Sequence, residues 1–116
     1  MNAVNEIKKD STYICDISDL VANSGVTALL GNTQIAIFYL PEASPSIYAI
    51  GNWDPIGKAE VLSRGLVGDI NGVPVVASPL YKEHFDLTNG QCLEKEDISV
   101  PCFSVYLDGE RVLIAT

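Results

Sequence analysis

The feature that most constrains this chain is a hydrophobic pattern of period two. Residues 33–40 read Thr-Gln-Ile-Ala-Ile-Phe-Tyr-Leu, and this run of branched and aromatic side chains is typical of a β-strand. Residues 26–30 predict a second strand, and Gly31-Asn32 between the two is a turn signal. The two strands are therefore expected to form a hairpin, with residues 46–50 as a third strand.

A second hairpin is indicated by Asn71-Gly72, which separates residues 67–70 from residues 73–77. This dipeptide favours a type I′ turn, the turn that suits a two-residue hairpin loop. Pro74 has no amide donor, so its strand is expected to lie at a sheet edge or to pair incompletely there.

The remaining strands follow the same rules. Residues 83–87 predict a short strand that ends in a turn. Residues 103–107 and 111–115 predict a last hairpin, with Asp108-Gly109 as its type I′ turn.

Helical signals are almost missing from this pattern. Only residues 16–21 suggest a single helical turn, with Asp16 or Ser18 as its cap. Short strands separated by turns indicate an all-β fold, an antiparallel sandwich or barrel. We expect one domain over residues 1–116, with residues 1–11 flexible.

The charge balance limits the partners of this chain. It has 116 residues, of which 47% are hydrophobic and 19% charged, as expected for a folded domain. Its net charge of −8 argues against binding to nucleic acid or anionic membranes and suits a basic protein partner. The polar N-terminal segment and the lack of a long apolar run predict a cytoplasmic protein with no signal peptide and no membrane partner.

The reactive side chains form no recognisable catalytic motif. The three cysteines, Cys15, Cys92 and Cys102, are widely spaced and are expected to be buried structural residues, with Cys92 near Lys95 as the best thiolate candidate. His84 is the only histidine, so neither a catalytic triad nor a histidine-based metal site is indicated. No phosphate-binding or dinucleotide-binding glycine motif is present in the sequence.

Two proline-containing segments resemble a known family. Residues 48–56 read Tyr-Ala-Ile-Gly-Asn-Trp-Asp-Pro-Ile, and residues 78–86 read Ser-Pro-Leu-Tyr-Lys-Glu-His-Phe-Asp. They are similar to the cluster-binding segments of Rieske iron–sulfur domains, which read Cys-Pro-His and Cys-Pro-x-His-Gly-x-x-Phe-Asp. The resemblance covers nearly the whole chain and implies a Rieske-like (ISP-type) sandwich or barrel with a small loop subdomain.

The ligand positions of that family hold other residues in this sequence. Asp54 and Ser78 stand at the two cysteine positions, and Ile56 and Tyr81 stand at the two histidine positions. A Rieske cluster needs two thiolates and two imidazoles. The resemblance therefore implies a Rieske-like domain with no catalytic residue, no metal and no cofactor of its own.

A Rieske-like domain without cluster ligands resembles the small subunit of the assimilatory NAD(P)H-dependent nitrite reductases. This resemblance implies an accessory oxidoreductase subunit that is not catalytic alone and whose partner is the large subunit. It also implies that the large subunit carries siroheme, FAD and iron–sulfur clusters and reduces nitrite to ammonia in nitrate assimilation.

The residues around the two segments are candidate partner contacts. Trp53 and Tyr81 are expected either to close the core between the segments or to anchor a partner. Ile56 and Leu80 are expected to fill the volume of the missing cluster, and the nearby positive charges to steer an acidic partner or an anion. The candidate docking residues are Trp53, Lys58, Arg64, Tyr81, Lys82 and His84.

Two alternatives remain open from the sequence. The chain could be a Rieske-type ferredoxin with unusual ligands, or a binding module of another multicomponent oxidoreductase such as a ring-hydroxylating dioxygenase. Separately, Asp54, Glu83 and His84 would offer two carboxylates and one imidazole to a zinc or non-haem iron ion.

Overall fold

A computed structural model describes residues 11–115 of the chain. The expectation of flexibility for residues 1–11 falls outside this range, except that Ser11 begins the first strand. In chain order the strands are β1 Ser11–Asp16, β2 Ser24–Leu30, β3 Thr33–Tyr39, β4 Ile47–Gly51, β5 Trp53–Asp54, β6 Ala59–Glu60, β7 Leu66–Ile70, β8 Val73–Ala77, β9 His84–Asp86, β10 Cys102–Phe103, β11 Val105–Asp108 and β12 Arg111–Ala115. Two short 3-10 helices span Ile17–Asp19 and Leu62–Arg64.

The central sheet lies between two apolar cores. Its strands are antiparallel in the order β10-β4-β3-β2. Ala36 and Phe38 of β3 face the first core, whereas Ile35 and Ile37 of the same strand face the second. Successive side chains of a strand point to opposite faces, so β3 is buried on both sides.

A separate three-stranded sheet covers each core. The sheet β7-β8-β9 contributes Val76 and Phe85 to the first core, and the sheet β1-β12-β11 contributes Val112 and Ile114 to the second. All four side chains are fully buried. Each such burial contributes about 1.5–3 kcal/mol to stability, so apolar packing holds the three layers together.

The expected early and middle hairpins are confirmed. Leu30 pairs with Thr33 across Gly31-Asn32, and Gly31 has a φ of 62°. Ile70 pairs with Val73 across Asn71-Gly72, whose φ angles are 53° and 85°. Positive φ at both central residues is the type I′ geometry that Asn-Gly favours.

Of the two alternatives expected for Pro74, incomplete pairing is confirmed and an edge position is not. The strand β8 is the central strand of its sheet and lies between β7 and β9. The β8–β9 register covers Val75, Val76 and Ala77 and stops before Pro74. A proline is tolerated because no β9 residue needs an amide from it, while its carbonyl accepts the Leu87 amide at 2.9 Å.

The last hairpin differs from the expectation by one residue. Asp108 pairs with Arg111, so the two turn residues are Gly109 and Glu110 rather than Asp108 and Gly109. Only Gly109 has a positive φ, 63°, which fits a type II′ turn and not type I′. The strand before it is also divided, because β10 pairs with β4 whereas β11 pairs with β12.

The one helical turn expected from the sequence is present, but the second 3-10 helix, Leu62–Arg64, was not expected. The helical turn expected within residues 16–21 is the 3-10 helix Ile17–Asp19, with Asp16 at its N-cap. The Asp16 amide donates to the Asp19 carboxylate at 2.9 Å. Among the described residues, no helix has the length and apolar character needed to cross a membrane.

Candidate functional site at the two loop tips

Two five-residue loops at the first-core end of the molecule share one construction. Loop 1 is residues 54–58 and loop 2 is residues 78–82. In each, the first side chain accepts the amide two residues on: Asp54 Oδ1 from Ile56 at 2.8 Å, and Ser78 Oγ from Leu80 at 3.2 Å. Short polar side chains favour this local turn, and proline in second place fixes its backbone.

Each loop also closes through its main chain. The Lys58 amide donates to the Asp54 carbonyl at 2.7 Å, and the Lys82 amide donates to the Ser78 carbonyl at 3.1 Å. Both lysines have a left-handed backbone, with φ angles of 59° and 69°. The two loops are thus near-copies, although they lie 24 residues apart along the chain.

A buried hydrogen bond joins the two loops. The Ser78 hydroxyl donates to Asp54 Oδ2 at 2.5 Å, and both residues are almost fully buried. Asp54 Oδ1 also accepts the Gly57 amide at 3.0 Å, in addition to that of Ile56. The buried carboxylate therefore has three donors, as burial of a charged group requires.

The donor set at the four ligand positions does not fit a Rieske cluster. Asp54 and Ser78 bond to each other, Ile56 is half-buried against the first core, and Tyr81 is 64% exposed. None offers the thiolate or imidazole that the iron atoms require. Within residues 11–115, no group of three or more His, Cys, Asp and Glu side chains is placed to hold a metal ion, which includes the alternative set of Asp54, Glu83 and His84.

Apolar contact between the loops depends on a glycine. A Cβ atom on Gly57 would lie 2.5 Å from Leu80 Cδ1 and 3.0 Å from Asp54 Oδ2. Without that atom, the Leu80 side chain sits directly against loop 1 while remaining 45% exposed. Ile56 packs inward against the first core, as expected for a residue that fills the volume of a missing cluster. Leu80 instead covers the contact between the two loops from outside.

The base of loop 1 is fixed by Asn52, a residue that the sequence analysis did not single out. Its side chain is fully buried, accepts the Ser63 amide at 2.7 Å and donates to Gln34 at 3.1 Å. These bonds connect the loop to the second 3-10 helix and to β3. The sequence did contain a signal for this role, namely a polar residue directly after the apolar strand β4. At such a position, a buried side-chain amide can form hydrogen bonds with backbone groups that no strand pairs.

His84 is engaged by a second unexpected residue, Glu94. The His84 ring nitrogen Nδ1 lies 2.6 Å from Glu94 Oε2, and the His84 amide donates to Glu94 Oε1 at 2.8 Å. Partial burial raises the pKa of Glu94, but the hydrogen bonds from His84 outweigh it and hold this pKa below its ordinary value. The single histidine thus has a local structural partner, and nothing in the sequence spacing indicated Glu94.

The cysteines lack the surroundings of a reactive thiolate. Cys92 is buried and its thiol lies 3.8 Å from Glu94 Oε1, so a carboxylate is its neighbour. Partial burial raises the pKa of Cys15 and of Cys102, and nearby carboxylates raise both further. The expected burial is wrong for Cys102, which is exposed.

The outer side of the two loops forms what we call the loop-tip surface: Trp53, Lys58, Leu80, Tyr81 and Lys82. Trp53 is 47% exposed, so the core-closing alternative does not describe it. Arg64, six residues after loop 1, is also exposed. A further exposed residue, Leu66 at the start of β7, is 77% exposed and was not expected from the sequence. Exposed aromatic side chains surrounded by a polar rim are typical of protein interfaces.

The fold and the two loops define this chain as a Rieske-like domain, and comparison with known proteins gives the same class. Residues 11–115 match the Rieske-like 2Fe-2S domain family, and the chain belongs to that family. The nitrite reductase (NADH) small subunit of Escherichia coli strain K12 is 48% identical over 87 residues, which cover 75% of this chain and 80% of that protein. Within the Rieske-like domains, the chain is a member of the nitrite reductase small-subunit family.

A large-subunit sequence also contains a similar stretch. The nitrite reductase (NAD(P)H) large subunit of Klebsiella oxytoca is 37% identical to this chain over 101 residues. That stretch covers 87% of this chain but only 10% of the Klebsiella protein. In that protein, a counterpart of this chain is thus part of a much longer polypeptide.

Solved structures support the same assignment. The solution structure of the nitrite reductase (NAD(P)H) small subunit from Erwinia carotovora has a TM-score of 0.77 and 38% identity, and covers 92% of this chain and 82% of its own. The ferredoxin of carbazole 1,9a-dioxygenase from Nocardioides aromaticivorans IC177 has a TM-score of 0.74 over 90% of this chain and 96% of its own. Its identity of 19% shows a shared fold alone.

Proposed function

We propose that this chain is the accessory small subunit of a cytoplasmic NAD(P)H-dependent nitrite reductase and that it docks on the large subunit through the loop-tip surface. The observation that carries this proposal is the buried Asp54–Ser78 hydrogen bond at the positions where a Rieske domain holds its thiolates. A domain whose ligand loops are joined by protein atoms supplies shape and contacts, not electron transfer.

Electron transfer then belongs to the partner. In the proposed complex, the large subunit holds siroheme, FAD and iron–sulfur clusters and reduces nitrite to ammonia in nitrate assimilation. The similar stretch inside the Klebsiella large subunit supports close association of the two components, because there they are covalently joined.

The docking contact is assigned to the loop tips because of their composition and rigidity. Trp53 and Tyr81 present large apolar areas on a base fixed by Asp54, Ser78 and Asn52. Side chains held on an ordered base lose less entropy on binding than mobile ones. Arg64 and His84 are assigned to the edge of the contact.

Co-purification tests this proposal directly. This chain carries an affinity tag in cells that express the matching large subunit, and the recovered complex is assayed for siroheme absorption and for NAD(P)H-dependent nitrite reduction. We expect recovery of a siroheme flavoprotein and loss of that activity when this chain is deleted. Unchanged nitrite reduction after deletion would overturn the proposal.

A pair of surface variants tests the docking assignment. Trp53→Ser/Tyr81→Ser is expected to weaken binding to the large subunit at least about tenfold, because central aromatic residues dominate interface energies. Tyr106→Ser is the matched control, since Tyr106 is a partly exposed aromatic residue on β11, in the sheet that covers the second core. Equal affinity of both variants would exclude the loop tips as the contact.

An iron assay separates the proposal from the ferredoxin alternative. The isolated chain is purified aerobically, and its visible spectrum and iron content are measured. A colourless, iron-free and folded protein is expected. A stoichiometric iron content with a charge-transfer spectrum would favour the ferredoxin instead.

A further inference from the structure

Two lysines occupy the same position in loop 1 and loop 2. Lys58 and Lys82 are each the fifth residue of their loop and have φ angles of 59° and 69°. In this left-handed region a side chain with a Cβ is strained, whereas glycine is not. The chain thus places a lysine twice where glycine would suit the backbone better.

Nothing within the described chain explains this choice. Both lysine side chains are exposed. The ion pairs found within residues 11–115 join His84 to Glu94 and Arg111 to Asp108, so in this range neither lysine pairs with a carboxylate. A strained position without an internal partner indicates that the side chain acts outside the domain.

The two lysines also differ from the rest of the molecule in charge. The whole chain has 15 acidic residues against 7 lysines and arginines. In loop 1 and loop 2 the only acidic side chain is Asp54, which is buried and bonded to Ser78. The exposed charges within the two loops are therefore positive on an acidic domain. The neighbouring acidic residues are Glu60, which is exposed and pairs with Trp53, and Glu83, which follows Lys82 and is partly buried. A local positive charge of this kind orients the domain toward a negative surface.

The lysines flank the point where the loops touch. The contact is between Leu80 Cδ1 and Gly57. Lys58 directly follows Gly57, and Lys82 lies two residues after Leu80. The exposed Trp53 directly precedes loop 1, and the exposed Tyr81 directly precedes Lys82 in loop 2. Apolar side chains edged by charged ones are the usual composition of a protein-binding surface.

We propose that Lys58 and Lys82 form a cationic pair that recognises an acidic patch on the large subunit, with partner Asp or Glu side chains facing the two ammonium groups. This inference rests on the proposed function and adds the chemistry of the partner surface. Exposed charges at the rim of an interface act mainly on the association rate and on its salt dependence.

Three double variants test the pair in complexes with the matching large subunit. Lys58→Gly/Lys82→Gly removes both charges and relieves both strained positions, so loss of folding does not confound it. Lys58→Gln/Lys82→Gln removes the charges alone, and Lys58→Arg/Lys82→Arg retains them. Arg111→Gln is the control for loss of a positive charge, since Arg111 lies on β12, in the sheet over the second core.

The association rate constant is measured from low to high salt. At low salt, the Gly and Gln variants are expected to associate roughly tenfold more slowly than the unaltered chain, and the difference is expected to vanish near 0.5 M salt. The Arg variant and Arg111→Gln are expected to stay within about twofold.

Three results would overturn the inference. The first is an equal association rate for the Gly variant, the Gln variant and the unaltered chain. The second is a slower association of the Gly and Gln variants that persists unchanged at high salt. The third is unchanged complex formation by these variants together with a raised KM for nitrite. The last result would indicate steering of a small anion instead of an acidic protein surface. If the unaltered chain itself fails to bind the large subunit, the proposed function fails before this inference is tested.

Discussion

The central sheet and the loop end of this molecule are stabilised in different ways. In β3, the four consecutive residues Ile35, Ala36, Ile37 and Phe38 are fully buried between two cores. At the loop end, a single buried carboxylate, Asp54, joins two loops whose outer side chains face solvent. Apolar packing spreads the stability of the sheet over many contacts, whereas the loop end depends on a few polar contacts that each have one geometry.

The largest expected effect is in the sheet. Phe38→Ala should lower the free energy of unfolding by about 3–5 kcal/mol, because it removes a fully buried ring and leaves a cavity. Urea denaturation followed by circular dichroism measures this loss. A loss below about 1 kcal/mol would mean that the central sheet does not depend on the first core.

A smaller but local effect is expected at the loop end. Asp54→Ala leaves the Ser78 hydroxyl and two amides without their acceptor and should cost about 1–3 kcal/mol. Hydrogen exchange at the amides of Ile56 and Gly57 should accelerate more than exchange in β3. Asp69→Ala is the matched control, because Asp69 is exposed and its carboxylate accepts the Gly72 amide at 3.3 Å. Uniform acceleration across the molecule would contradict a separate loop-end unit.

The third expectation concerns pH. The pKa of Glu94 is below its ordinary value of 4.5, so its contribution is complete above pH 4.5 and is lost as the pH falls through the lowered folded-state pKa. Because the Glu94 side chain is 44% exposed, solvent screens this interaction and the contribution should stay below about 1 kcal/mol. Glu94→Gln should flatten this part of the stability curve, whereas the exposed Glu96→Gln should not. If both variants gave the same dependence of stability on pH, His84 would not be the cause of the lowered pKa of Glu94.

The smallest expected effect is at the lysines. Lys82→Gly relieves a left-handed φ of 69° but makes the unfolded chain more flexible by about 0.4–1 kcal/mol, so the net change in stability should be close to zero. Thermal denaturation measures the difference. A clear loss of stability would show that Lys82 packs within the domain and would weaken its assignment to a partner contact.

The same contrast explains how far the sequence predicts the structure. The hairpins were predictable because their signals are local: Gly31-Asn32 and Asn71-Gly72 set their turns with neighbouring residues alone. The last turn was misplaced by one residue, because the pairing of Asp108 with Arg111 fixes the register and the turn dipeptide alone does not.

The candidate site was predictable only in part. The resemblance located Asp54, Ile56, Ser78 and Tyr81, and the structure shows how two of them bond to each other. Asn52 and Glu94 were missed because their partners lie 10 to 18 residues away along the chain, and no periodic pattern marks such pairs. Hydrogen bonds between residues far apart in the chain depend on how the layers pack. The local spacing of residues in a single sequence does not reveal that packing.

The internal closure of each loop has one further consequence. Because Lys58 and Lys82 close the backbone turns onto Asp54 and Ser78 through main-chain bonds, the path of each loop is set without any metal bond. Backbone shape and coordination chemistry are thus separable at this end of the domain. For protein engineering, the chain is an already folded template on which ligand side chains can be exchanged one at a time, with the backbone as a constant background.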